Sequence, residues 1–152
     1  MTTADTVAVV GCSPNPDRPS HAIAAFLIDR GYTVIPVNPG SREILGQRCY
    51  PSLAAIPEGV RVDIVDVFRR SEEVAPVAEE AIARGAGFFF MQQGVIDPGA
   101  AARLEKAGIP VAMDRCILIE HERLGLGRRP RNGNPEKNVF HVPVAGAAAQ
   151  EE

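Results

Sequence analysis

The sequence lacks the features that mark membrane, metal-binding and disulfide-rich proteins. Its 152 residues include three cysteines, Cys12, Cys49 and Cys116, and none of them form the C-x-x-C spacing of metal or redox sites. No apolar run reaches the length of a membrane span, and no apolar N-terminal leader is present. We therefore expect a cytoplasmic protein with reduced thiols, without a membrane span and without a metal centre.

An excess of positive charge is also absent. The net charge of -3 at pH 7 argues against a general nucleic-acid binder, which needs a concentrated basic face. The hydrophobic content of 45% and charged content of 23% are those of an ordinary globular protein, and the length fits one domain. We expect that domain to span residues 1–126, and the small and polar residues 127–152 to form a flexible tail.

The common nucleotide-binding fingerprints are missing as well. The chain contains neither G-x-G-x-x-G nor the Walker pattern, and the absent P-loop lysine argues against ATP or GTP hydrolysis. An NAD site places an acid at the end of the second strand, where this chain has Asn38.

What the chain does contain is a regular succession of buried strands and helices. Alternating strands and helices predict a parallel sheet covered on both faces. We therefore expect an α/β fold with a Rossmann-like, doubly wound, parallel five-stranded sheet in the order 3-2-1-4-5 and helices on both faces. The predicted strands are 6–11, 32–37, 61–68, 87–91 and 109–113, and the predicted helices start near Ser20, Ser71, Asp97 and Asp114.

In such a sheet the ligand lies beyond the carboxyl ends of the strands where the strand order reverses, which the expected order places after the first and fourth strands. The first loop suits a phosphate, since Gly11 permits close backbone approach and Arg18 adds positive charge. Ser20, as the expected N-cap after Pro19, opens a helix whose N–H groups favour an anion. Cys12 is either a structural thiol or one whose pKa the helix terminus lowers.

The other loops at this edge carry further candidates, each with a structural alternative. Arg42 suits a ribose phosphate or faces water. Val67 and Phe68 either contact an adenine ring or pack in the core, and Arg69 and Arg70 either reach phosphates or face water. The remaining candidates after the fourth strand are Gln93 and Gly94. No grouping of nucleophile, base and acid is evident, so no catalytic residue is assigned.

Several of these segments also resemble a known family. Residues 7–21 (VAVVGCSPNPDRPSH), together with VIPVNP at 34–39, DIVDVFR at 63–69, QQG at 92–94 and MDRC at 113–116, resemble the small stand-alone CoA-binding domain proteins. The resemblance covers about residues 6–124 and extends to the CoA-binding domain of the succinyl-CoA synthetase α subunit. It implies that the cofactor contacts Gly11, Cys12, Ser13, Arg18, Val37, Asn38, Arg42, Val67, Phe68 and Gln93.

Two departures limit what the resemblance implies. Arg42 stands where the synthetase often has lysine, and a chain of 152 residues has no room for the synthetase's second domain with its phosphorylated histidine. We therefore expect a binding module for coenzyme A or an acyl-CoA rather than a ligase, with pyrophosphate on loop 11–20 and adenosine along the ends of strands two and three. The alternatives are an NADP-dependent or other nucleotide-dependent enzyme, and a protein-interaction subunit. The acyl group and any protein partner remain open.

Overall fold

The computed structural model describes residues 6–115 and residue 117, and confirms the α/β Rossmann-like fold. The expected last helix and the tail 127–152 lie outside the described residues, apart from Ile117. A short 3-10 turn, Ser71–Glu73, precedes the second helix. In chain order the elements are β1 (Thr6–Val10), α1 (Pro19–Asp29), β2 (Thr33–Val37), β3 (Glu43–Ile44), β4 (Gln47–Arg48), β5 (Ile64–Val67), α2 (Val74–Arg84), β6 (Phe88–Met91), α3 (Pro98–Lys106) and β7 (Val111–Ala112).

The central strands are apolar because both of their faces are covered. Successive side chains of a strand point to opposite faces, so Val9 and Phe90 pack with α1, whereas Val10 and Phe89 pack with α2 and α3. Burial of side chains of this size stabilises the fold by about 1.5–3 kcal/mol each. Helices therefore cover both faces, as the sequence predicts.

The predicted strand order is wrong. The sheet runs β2-β1-β5-β6-β7, which is 2-1-3-4-5 when its five strands are counted along the chain. The third of these strands, β5, pairs with β1 through Val7↔Ile64 to Val10↔Val67, so it does not lie outside β2.

A proline explains why β2 is an edge strand. The Pro36 carbonyl accepts the Tyr50 N–H at 3.1 Å on the outer side of β2, the side to which its own N–H would point. Proline has no N–H to donate, so it is confined to edge strands and cannot support a full neighbour there. Pro36 thus carried a signal in the sequence for the observed order.

The connection between β2 and β5 holds no helix. Its β3–β4 hairpin turns at Leu45 (φ 55°) and Gly46 (φ 73°), the positive angles of a type I′ turn. Residues 52–56 form two overlapping turns, in which the Ala55 N–H donates to the Ser52 carbonyl at 3.2 Å and the Ile56 N–H donates to the Leu53 carbonyl at 3.1 Å. The Arg84 guanidinium donates to the carbonyls of Leu53, Ile56, Pro57 and Val60 and holds this segment against the end of α2.

The N-cap of the first helix lies two residues earlier than predicted. Arg18 is the N-cap residue of α1, Pro19 occupies its first turn, and Ser20 lies inside the helix rather than capping it. Proline fits there because its fixed φ suits a helix and its missing N–H would have no partner inside the helix. In α3 the predicted cap is confirmed, since the Asp97 carboxylate accepts the Ala100 N–H at 3.1 Å.

Candidate functional site

The observed strand order moves the reversal point to the gap between β1 and β5. The loops that diverge there follow Val10 of the first strand and Val67 of the third strand of the sheet. The expected order had placed this point after the first and fourth strands. Gly11 has φ +86°, and a Cβ at this position would lie 2.5 Å from the carbonyl oxygen of Phe68. Only glycine permits this approach, which brings two candidate residues together.

The first loop is held in shape by its own side chains. The Ser20 hydroxyl accepts the Ser13 N–H at 2.9 Å, and the Ser13 hydroxyl accepts the Asn15 N–H at 3.0 Å. The carbonyl of Ser13 lies 3.0 Å from His21 Nδ1. Ser13 and Ser20 therefore form hydrogen bonds within the loop that hold it in one conformation. Ligand binding does not have to order this loop.

The end of β2 anchors this loop. The Gly11 N–H donates to the Val37 carbonyl at 2.9 Å, and Asn38 Nδ2 donates to the Cys12 carbonyl at 2.8 Å. Asn38 Oδ1 accepts the Gly40 N–H at 2.7 Å, which shapes the turn leading to the hairpin. Asn38, where an NAD site has an acid, is thus engaged in joining two loops.

Two grooves open at this edge of the sheet, and we name them by a residue of each. The Phe68 groove, of about 460 Å³, is lined by Pro19, Ile23, Phe68, Arg69, Arg70, Gln92, Gln93, Gly94 and Val95. The Leu53 groove, of about 270 Å³, is lined by Val10, Val37, Pro51, Ser52, Leu53, Arg69, Glu73, Pro76, Val77 and Glu80. Arg69 is common to both grooves, so a ligand that spans them must pass it.

The two arginines after β5 differ sharply in their surroundings. Arg70 is exposed and paired, with Nη2 donating to Glu73 at 3.1 Å and Nε lying 3.8 Å from Glu72. The hydrogen bond and charge of Glu73 raise the pKa of Arg70. Arg69 is half-buried, and its side chain makes no hydrogen bond or ion pair within the described part of the chain. Its guanidinium is therefore available to a ligand anion.

Sequence reasoning did not select Arg69. It considered Arg69 and Arg70 together, with phosphate contact and solvation as the two alternatives. The available signal was position, because Arg69 is the second residue beyond a central strand, whereas the exposed Arg70 is next to the acids Glu72 and Glu73.

Two other candidate arginines are exposed. Arg18 caps α1 beside the first loop. Arg42 lies on the hairpin and, with Arg48, Glu43, Gly46 and Cys49, lines a third groove of about 580 Å³. The guanidinium of Arg48 lies 5.4 Å from the Tyr50 ring centroid. Arg42 thus lies on the β2 side of the reversal point, apart from Arg69.

The loop after β6 forms one wall of the Phe68 groove. Gln92 is buried and its side-chain oxygen accepts the Ile117 N–H at 3.1 Å, whereas Gln93 is exposed. The Gly94 N–H donates to the Asp114 carboxylate at 2.7 Å, and this bond fixes the loop. Gln93 and Gly94 lie at the groove as expected.

Two of the predicted contacts have buried side chains. Val67 is fully buried beneath the edge and lines none of the three grooves. Cys12 is fully buried among residues of the α1 face. Burial, followed by the charges of Cys49 and Asp66, raises the pKa of the Cys12 thiol to about 12. The alternative of a reactive, low-pKa thiol is therefore wrong, because the helix terminus does not offset desolvation.

A buried acid lies close beneath this loop. Asp66 is fully buried in β5, and neither of its carboxylate oxygens has a hydrogen-bond partner in the described structure. Desolvation raises the pKa of Asp66 well above its ordinary value. The pH range in which this carboxyl is neutral therefore extends above that of an exposed aspartate.

Comparison with known proteins identifies the family. A model of the CoA-binding domain matches residues 5–122 of the chain. The chain belongs to the CoA-binding domain family. This agrees with the resemblance found in the sequence, and the match covers all the described residues.

Relatives of this CoA-binding domain protein include short and long chains. The uncharacterized protein YneT of Bacillus subtilis is 44% identical over 115 residues, which are 76% of this chain and 84% of YneT. Acetate–CoA ligase [ADP-forming] I of Archaeoglobus fulgidus is 37% identical over 109 residues, 70% of this chain but only 16% of the ligase. A solved structure from Thermus thermophilus is 38% identical, with a TM-score of 0.75, and the match covers 80% of this chain and 90% of that one.

Two further properties concern the described residues only. Residues 6–115 and 117 contain no group of three or more histidine, cysteine or acidic side chains placed to hold a metal ion. No helix within this part of the chain has both the length and the hydropathy needed to cross a membrane.

Proposed function

We propose that the protein binds coenzyme A or an acyl-CoA across the carboxyl edge of its sheet and serves as a binding module. Membership of the CoA-binding domain family supports this ligand. So does the alignment with a relative named acetate–CoA ligase. Since the chain aligns with only 16% of that relative, ligase activity is not part of the proposal.

Arg69 carries the proposal. An unpaired, half-buried guanidinium at a junction of two grooves suits the diphosphate of CoA, the part of the ligand that joins its two ends. The preformed loop 11–20 follows the neighbouring strand β1. It adds backbone N–H groups and the positive charge of Arg18. Together these groups favour an anion at the reversal point.

The two grooves differ in ways that suit the two ends of CoA. The Leu53 groove offers Ser52, Glu73 and Glu80 beside apolar side chains, and these oxygens can accept hydrogen bonds from an adenine amino group or ribose hydroxyls. The Phe68 groove has apolar walls that suit the pantetheine arm. Arg42, on the β2 side, is placed for the 3′-phosphate.

Isothermal titration of the reduced protein tests the proposal. We expect CoA to bind with micromolar affinity, about -8 kcal/mol, and more tightly than NADP, NAD or ATP. Arg69→Ala should weaken CoA binding about tenfold or more, because charge-assisted hydrogen bonds to the diphosphate are lost. Arg70→Ala is the matched control, since Arg70 is already paired with glutamates, and should change affinity about twofold at most.

The outcomes separate the alternatives. Equal losses in the two variants would remove Arg69 from the site. Selective NADP binding would favour the enzyme interpretation, and binding of none of these nucleotides would favour an interaction subunit. Arg42→Ala should abolish any preference for CoA over dephospho-CoA, and a retained preference would place the 3′-phosphate elsewhere.

A further inference from the structure

Most of the lining surface of the Phe68 groove is apolar. Its walls include Pro19, Ile23 and Val95 as well as the half-buried ring of Phe68. These side chains come from α1 and from the loops after β5 and β6. A groove with mostly apolar walls and a few polar groups is typical of a small-molecule site, and it suits an apolar part of a ligand.

We infer that this groove binds the aliphatic chain of an acyl-CoA, and that chains longer than acetyl bind more tightly than CoA itself. The inference rests on the proposed function. The groove shares Arg69 with the Leu53 groove, so a diphosphate held at Arg69 leaves the thiol end of the ligand to extend along the Phe68 groove. The pantetheine arm then enters the groove beside Arg69, and the group attached to its thiol lies further along the same apolar walls.

The wall is held in place before any ligand arrives. In the loop after β6 the Ile96 N–H donates to the Ser71 hydroxyl at 2.9 Å and the Gly94 N–H donates to Asp114 at 2.7 Å. The Val95 N–H donates to the Gln92 carbonyl at 2.8 Å. A preformed wall avoids the entropic cost of ordering the loop on binding.

The charges around the groove favour an aliphatic chain over one that ends in a carboxylate. A succinyl group would need a free cation within the groove, but Arg70 is paired with Glu72 and Glu73. Arg69 is assigned to the diphosphate. Gln93 is exposed and neutral, so it offers hydrogen bonds without charge.

A chain-length series tests the inference with the whole protein under reducing conditions. CoA and its acetyl, butyryl, hexanoyl and succinyl thioesters are titrated separately. We expect affinity to rise about two- to fourfold per methylene from acetyl to hexanoyl, the gain for burying a methylene partly or fully. Succinyl-CoA should bind more weakly than butyryl-CoA.

Variants locate the effect in the groove. Val95→Thr keeps the shape of the wall but replaces one methyl group with a hydroxyl. It should lower the ratio of hexanoyl-CoA affinity to CoA affinity about threefold or more. Ile23→Val, which shortens the opposite wall, should also lower this ratio. Leu45→Ser is the matched control, because Leu45 is an exposed apolar residue on the hairpin, outside the Phe68 groove, and should leave the ratio unchanged.

The results distinguish this inference from the proposed function. If CoA binds but affinity is flat or falls with chain length, the acyl inference is overturned and the CoA proposal stands. A rising series that Val95→Thr and Leu45→Ser affect equally would also overturn it. If neither CoA nor any thioester binds, both fail together.

Discussion

The two faces of the sheet are equally buried but differ in chemistry. The face covered by α2 and α3 is built from aliphatic side chains, alanines, Phe89 and Met91. The face covered by α1 includes Cys12 and Cys49, with Asp66 and Ser20 also buried on this side. Burying a polar group without a full set of partners costs free energy. The α1 face therefore accepts a free-energy cost beneath the loop that we assign to the diphosphate.

Asp66 shows this difference most clearly. Its strand neighbours Val65 and Val67 point to the apolar face, while Asp66 points to the α1 face with both oxygens unpartnered in the described structure. Residues that break a local rule without an evident gain in stability are often found near functional sites. The asymmetry therefore agrees with a ligand site at the edge near Cys12 and Gly11.

The largest effect should come from the paired variants Phe89→Ala and Phe90→Ala. Both rings are fully buried, on opposite faces. Phe89→Ala should lower the free energy of unfolding by about 3–5 kcal/mol, because it leaves a dry apolar cavity. Phe90→Ala should cost less, because Phe90 pairs with Asp66 and water entering its cavity can hydrate the carboxyl. Urea titration measures both values, and equal losses would argue against a difference between the faces.

Gly11→Ala should have the next largest effect on the free energy of unfolding. Gly11 follows β1 and lies against the Phe68 carbonyl. A new Cβ would contact the Phe68 carbonyl in a conformation with positive φ, so we expect a loss of about 1–3 kcal/mol. Gly46→Ala is the control, because Gly46 also has positive φ but no atom within 4 Å of the added Cβ. A similar loss of stability in both variants would show that φ alone matters and that the contact does not.

Asp66→Asn should change the dependence of stability on pH. The folded pKa of Asp66 is raised, so the folded state holds a proton that the unfolded state releases. The contribution of Asp66 is then greatest below its unfolded pKa of about 3.9. It declines as pH rises toward the folded pKa, by up to about 1.4 kcal/mol per pH unit. The stability difference between wild type and Asp66→Asn should follow this slope in urea titrations at several pH values, and a constant difference would show that Asp66 is charged when folded.

The smallest effect should come from Ser20→Ala. It removes the hydroxyl that accepts the Ser13 N–H, which should cost about 1–2 kcal/mol at a buried site. Ser52→Ala removes a similar acceptor, for the Ala55 N–H, in an exposed turn and should cost only a few tenths. Thermal unfolding compares the two, and a larger loss at Ser52 would contradict the importance assigned to the first loop.

The sequence predicted the elements well because their signals are local. Buried runs such as residues 88–91 and caps such as Asp97 depend on a few neighbouring residues. The hairpin at Leu45–Gly46 was not predicted, because Leu-Gly lacks the Asn or Asp that usually marks a type I′ turn. The sequence left the state of Cys12 open for a different reason. Local sequence placed it near a helix terminus, whereas packing on the α1 face sets its pKa.

The sequence by itself determined the family and the succession of strands and helices, since both are carried by motifs and periodicity along the chain. Only the tertiary structure decided the strand order, and with it that Gly11 lies against Phe68 and that Arg69, unlike Arg70, lines both grooves. The physical reason is that strand pairing and the pairing of charges depend on residues far apart in the chain. Pro36 is the exception, because its missing N–H is a signal for an edge strand that the sequence alone contains, although the predicted order did not use it.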